Sequence, residues 1–316
     1  MVTSYSLKCH CERKRSNLLI GFILFLLIGC APPSPAGTVA PPPEATPTLE
    51  TPTPAPDYLA QIRNAQYQLG LTDSLRVVQF TDGKFESGAP GGVDHVSALV
   101  MDFADRGDLN NDGADEIVVA VAENYGGTGV FVFVAVYAEV NDQLVFQTST
   151  LVDDRPAINA LAIESGEVFL DAITHDSDDP FCCPTLRNER HYRLINNQLQ
   201  LTDYVTFTPD ARPRTITIES PVNGTEVFST VRIKGIVAIA PFENNLAYRI
   251  YDVGGVELSA GAVAVTAPDL GVPGTFDTTI NIGGLLSGSI IRIEIQDVSA
   301  ADGSLLAMDS VELVVK

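Results

Sequence analysis

The chain has 316 residues, 45% of them hydrophobic, no tryptophan and a formal net charge of −21 at pH 7. That length can bury two cores. That charge repels phosphate backbones and anionic headgroups, which argues against nucleic acid as a partner and against a basic patch as the means of holding a membrane.

Lys8, Arg13, Lys14 and Arg15 precede Leu18 to Ile28, an unbroken run of apolar residues and one glycine. A membrane span needs about 17–25 residues, so this shorter run reads as a signal-peptide core. Leu27-Ile28-Gly29-Cys30 follows and resembles the bacterial lipobox. The resemblance implies cleavage before Cys30 and lipid on its thiol, hence an extracytoplasmic lipoprotein held to the membrane, at the cell surface or outer membrane. The alternative is an uncleaved signal anchor. Residues 1–29 hold four basic residues and one acidic one, so the remainder carries 15 basic residues against 39 acidic ones, a net charge of −24.

Residues 30–56 are expected to be the lipidated cysteine and a spacer. Half of the 20 prolines lie there, and Glu44 and Glu50 are its only charges. Such a segment favours extended polyproline II at roughly 3.1 Å per residue, a reach of up to about 80 Å.

Residues 57–207 are expected to form an α+β domain, an antiparallel sheet with one helix. Asp57 can cap a helix in which Leu59, Ile62, Ala65 and Leu69 recur at helical spacing, with Gly70 as the stop. Strand signals follow at 75–80, 116–121, 130–137, 140–147, 160–163, 168–174, 191–194 and 199–201, separated by Gly, Asn and Asp turns. Prolines 209 and 213 mark a second boundary. From residue 214 to 316, short alternating strands at 215–218, 231–237, 246–251, 256–258, 262–265, 275–280, 290–295 and 311–315 indicate an immunoglobulin-like β-sandwich. The chain as a whole is expected to be mainly β.

Two motifs carry chemistry. In Asp108-Leu109-Asn110-Asn111-Asp112-Gly113-Ala114-Asp115-Glu116, alternate oxygens of Asp108, Asn110 and Asp112 can converge on a hard cation. The Ala114 carbonyl and the Glu116 carboxylate would complete a shell suited to calcium, the one candidate cofactor. The segment is not an EF-hand, because Val119 stands where the bidentate Glu belongs. It resembles the calcium loop of the FG-GAP repeats of integrin α-subunits, without a second copy that would build a propeller. A polar turn without an ion is the alternative. The second motif is Cys182-Cys183, flanked by Pro180 and Pro184. These neighbours can form a vicinal disulfide, remain reduced, or bind metal together with His175 and His191.

Gly107 to Asn110, Gly126 to Phe131 and Cys182-Cys183-Pro184-Thr185 together resemble the LppP/LprE type of bacterial lipoprotein domain. That resemblance implies an extracytoplasmic domain without an established activity. Ser220-Pro221, Gly235, Phe242-Glu243, Asp252, Gly255, Gly274 to Phe276 and Ser299 to Ser304 resemble the immunoglobulin-like domain of spore-germination proteins, the Gmad type. No Gly-x-Ser-x-Gly elbow, His-Glu-x-x-His, Walker loop or dinucleotide fingerprint occurs, so no catalytic residues and no enzyme are expected. The expected function is a lipid-anchored binding or structural protein that presents its immunoglobulin-like module to protein or envelope polymer. The alternatives are a sensor or solute-binding lipoprotein of a membrane complex, and an envelope hydrolase.

Overall fold

The computed structural model describes residues 57–71, 75–141 and 143–316. The expected signal peptide, Cys30 and the expected spacer of residues 30–56 lie outside the described residues. No helix among the described residues is long and apolar enough to cross a membrane.

Asp57 does cap a helix, its carboxylate accepting from the amides of Leu59 and Ala60 at 3.1 and 3.4 Å. The helix, α1, covers only Tyr58–Ile62. The expected longer helix is therefore a correction, and with it the α+β description: this half is β-sheet with one short helix. Gln66–Leu69 is strand β1, paired antiparallel with β2, Arg76–Gln79. The reason lies in the alternation Gln66-Tyr67-Gln68-Leu69, where Tyr67 and Leu69 are buried and the two glutamines exposed. The Tyr67 ring packs against Phe80 and Tyr137, and its hydroxyl donates to the Ile62 carbonyl at 2.8 Å. Burying that aromatic in the core outweighs the weak helical pattern.

Five consecutive strands make the central antiparallel sheet of this half: β3 (Lys84–Ser87), β4 (Val96–Gly107), β5 (Glu116–Asn124), β6 (Phe131–Val140) and β7 (Gln143–Asp154). Both of its faces are covered. Ile117, Val119 and Val121 of β5 join Tyr67, Phe80 and Tyr137 on one face. Val118 and Ala120 pack on the other against Leu161, Leu170 and Tyr192. Those residues belong to a second meander, β8 (Ala157–Glu164), β9 (Glu167–Thr174), β10 (Leu186–Ile195) and β11 (Gln198–Thr206). A strand buried on both sides has no polar face, which explains the continuous apolar runs of β5 and β6.

The carboxy-terminal half is the expected sandwich. One sheet contains β12 (Ile216–Ser220), β14 (Thr230–Val237) and β17 (Gly274–Asn281). The other contains β15 (Asn245–Asp252), β18 (Ile290–Val298) and β19 (Leu305–Val315), with β13 (Thr225–Val227) parallel to β19. Strand β16, Glu257–Thr266, pairs with β15 through Ala264 and with β17 from Val265, so it passes from one sheet to the other. Ile233, Leu246, Val263, Ile293 and Leu313 fill the core between them.

The two halves share a sheet. β11 pairs antiparallel with β19 through Asp203–Asp309, Tyr204–Met308 and Val205–Ala307. The intervening turn is pinned by Thr208 N–H to the Arg212 carbonyl at 2.9 Å and by Arg214 N–H to Thr206 at 2.8 Å.

Candidate functional site

The Asp108 loop lies between β4 and β5, where Asn111 and Gly113 take positive φ and bend the chain. Its polar side chains tie the loop to itself. Asp108 accepts from the amides of Asn110 and Gly113 at 3.3 and 3.0 Å. Asn110 accepts from Asp112 N–H at 2.9 Å, and Asp112 from Ala114 N–H at 2.8 Å. Glu116 is turned into the fold and is almost completely buried, accepting from Leu109 N–H at 2.9 Å and from the Asn110 amide group at 3.1 Å. Burial pushes its carboxyl up, the Leu109 bond opposes that, and the charges of Asp112 and Asp108 add to the rise. Among the described residues no three His, Cys, Asp or Glu side chains are gathered closely enough to hold a metal ion.

The loop between β9 and β10 joins the sulfurs of Cys182 and Cys183 to each other. Asp179 organises it, accepting from Asp176 N–H at 2.8 Å, Thr185 N–H at 2.7 Å and the Thr185 hydroxyl at 2.9 Å. The loop tip is bare, and Phe181 is 84% exposed. His175 and His191 do not converge on the sulfurs. His175 Nδ1 lies 2.9 Å from Asp153, which raises the imidazole above its usual range. His191 lies 3.5 Å from Glu167, with the same effect.

Sequence reasoning missed the seam between the halves. His191 stands opposite Asp203 across β10 and β11, and Asp203 opposite Asp309 across β11 and β19. Directly opposed residues share one face with their Cβ atoms about 4.5–5.5 Å apart, so a histidine and two carboxyls form one row. Burial pushes Asp203 up to about 7, and the neighbouring Asp309 charge adds to that. Burial also pushes Asp309 up to about 6, although the amides of Ile218 and Ser310 donate to it at 2.6 and 2.7 Å. Arg193 crosses the seam to Glu312 at 2.6 Å.

The seam also opens a cleft of about 490 Å³, lined by Arg187, Phe207, Thr208, Arg214 and Ser304 among others. The Arg187 guanidinium sits 4.3 Å over the Phe207 ring and 3.1 Å from both Asp171 and Glu189. Ser177 of the cysteine loop donates to Asp302 of the β18–β19 turn and, with the Ser299 and Ser304 bonds, holds that carboxyl well below its usual range. Three separate stretches of sequence thus meet at one mixed polar and apolar opening. The only advance signal was charge inside strands, such as Arg187, Glu189, Asp203 and Asp309.

Residues 215–304 match the family model described as the immunoglobulin-like domain of bacterial spore germination. This agrees with the resemblance read from Ser220 to Ser304 and with the two packed sheets. No curated protein matches the chain.

Proposed function

We propose that the chain is a lipid-anchored extracytoplasmic binding protein, without an enzymatic reaction of its own, whose spacer presents an LppP/LprE-like β-domain and an immunoglobulin-like module to a protein or envelope polymer. The observation that carries the reading is the immunoglobulin-like module at 215–304, fused through one sheet to the half that precedes it. Such modules recur as interaction and spacing elements on unrelated proteins. The Leu27-Ile28-Gly29-Cys30 junction supports the address. The seam cleft, lined by Arg187, Arg214, Thr208 and Ser304 beside Phe207, supports a second reading, a solute-binding lipoprotein.

The protein without its lipid, immobilised and exposed to envelope extract, should retain a defined protein or polymer. Retention of nothing beyond what an unrelated acidic protein retains would contradict the binding reading.

Calcium at Asp108, Asn110, Asp112, the Ala114 carbonyl and Glu116 belongs to the same proposal. An ion bound only by the folded loop raises the melting temperature by mass action. Millimolar calcium should therefore raise the wild-type melting temperature, and Asp112→Ala should remove the rise. A wild-type curve indifferent to calcium leaves the loop a polar turn.

A further inference from the structure

We propose that the open edge of β16 docks an extended, positively charged segment of a partner protein, which adds to the sheet as a further strand. Residues 257–263 pair with β15 on one side only, because β16 meets β17 first at Val265. Among the described residues no strand pairs along the other side. Proteins usually blunt such an edge with lysine, proline or brevity, since its free N–H and C=O groups are a template for pairing. The other sandwich edge, β12, is only five residues long. The stretch from Glu257 to Ala264 contains neither lysine nor proline and is mostly exposed.

A second observation lies at the start of this edge. A cleft of about 560 Å³ opens beside Leu258, lined by Val253, Leu285, Leu286, Ile290 and Ile291. Leu286 is 81% exposed, and Val253, Val256, Leu258 and Ile290 are exposed around it. A strand laid on β16 would gain main-chain hydrogen bonds from the edge and place one apolar side chain in the cleft. Those are the two components of recognition by strand addition.

Charge selects among occupants. Asp252 is the charged residue that lines the cleft, while the nearby Arg249 and Glu257 offset each other in an ion pair and Arg249 also donates to Gln296. Against a chain of net charge −21, a basic segment is attracted and a second copy of this chain repelled. The inference rests on the binding reading above but not on the lipid anchor.

The test uses the full chain and two fluorescent probes of equal length, one alternating valine with lysine and one alternating valine with glutamate. Anisotropy should show the lysine peptide binding at least about tenfold more tightly than the glutamate peptide. Ladder pairs alternate in direction, so one of Ser259→Pro and Ala260→Pro removes an outward N–H without touching the bonds to β15. That variant, and Leu286→Ser on the exposed cleft wall, should each weaken binding about tenfold with the net charge unchanged. Equal binding to wild type and to all three variants would overturn the inference, as would equal affinity for both peptides. An envelope polymer retained by a chain that ignores both peptides would also overturn it while leaving the binding reading intact. A concentration-dependent dimer disrupted by Leu286→Ser would replace the partner with a second copy and overturn it as well.

Discussion

At the scale of single residues, the row His191, Asp203 and Asp309 makes stability depend on pH. A carboxyl whose folded pKa is raised holds more protons folded than unfolded, so its contribution declines as pH rises from the unfolded to the folded value. For Asp203 and Asp309 that window runs from about 4 up to about 7 and 6 respectively. His191, raised by Glu167, acts in the same direction: its contribution is complete below its unfolded pKa and is lost as pH climbs through the folded one. Glu167 is held low chiefly by His191, so its contribution fades only as pH falls below the carboxylate range. The protein should therefore be more stable near pH 5 than near pH 8. Asp203 contributes on the order of 2–3 kcal/mol to that difference, at about 1.4 kcal/mol per pK unit. Asp203→Asn should flatten the dependence of melting temperature on pH; an unchanged slope would contradict the row. None of this was legible in the sequence. A charged residue in a strand reads as a solvent-facing one, and Asp309 comes from more than a hundred residues further on. The Asp108 and Cys182 loops were legible, because Asp-Asn-Gly turns and adjacent cysteines are local chemistry. What their spacing concealed is that Glu116 turns inward to bond its own loop.

At the scale of elements, legibility followed burial. Strands β5, β6 and β9 announced themselves through apolar runs. β4 did not, because Asp102, Asp105 and Arg106 interrupt it and a register shift between Val100 and Ala104 breaks its alternation. The stretches at 256–258 and 262–265 read as two strands but are one, since Ser259, Ala260 and Gly261 give little side-chain signal. On β18 the alternation Arg292-Ile293-Glu294-Ile295-Gln296 suggests a wet outer face. Yet Arg292, Glu294 and Gln296 are only 8%, 5% and 8% exposed. Arg292 donates to the Leu201 carbonyl at 3.0 Å and pairs with Glu294 at 3.0 Å, so the preceding half covers this face. Packing also fixes one glycine in the sandwich. A Cβ at Gly235 of β14 would stand 2.1 Å from the Thr217 carbonyl oxygen and 2.4 Å from the Phe276 ring. The carbonyl is backbone of the paired strand β12 and the ring belongs to the core, so neither can yield freely and Gly235→Ala should cost about 1–3 kcal/mol. Chemical denaturation measures this, and a variant as stable as wild type would show that β12 and Phe276 both have room to move.

At the scale of the molecule, the β11–β19 ladder turns two recognisable halves into one continuous sheet, and the cleft and the titrating row both lie where they meet. No local pattern encodes that seam, because it depends on three pairs of residues about a hundred positions apart. The proposed function has this two-part body held at the envelope by lipid on Cys30. The mass of the protein recovered from the membrane fraction tests it most directly. Lipid anchoring predicts a chain that begins at Cys30 and carries acyl chains, and a Cys30→Ser variant that retains residues 1–29 and takes up no lipid label. An unmodified wild-type chain that keeps residues 1–29 would contradict it.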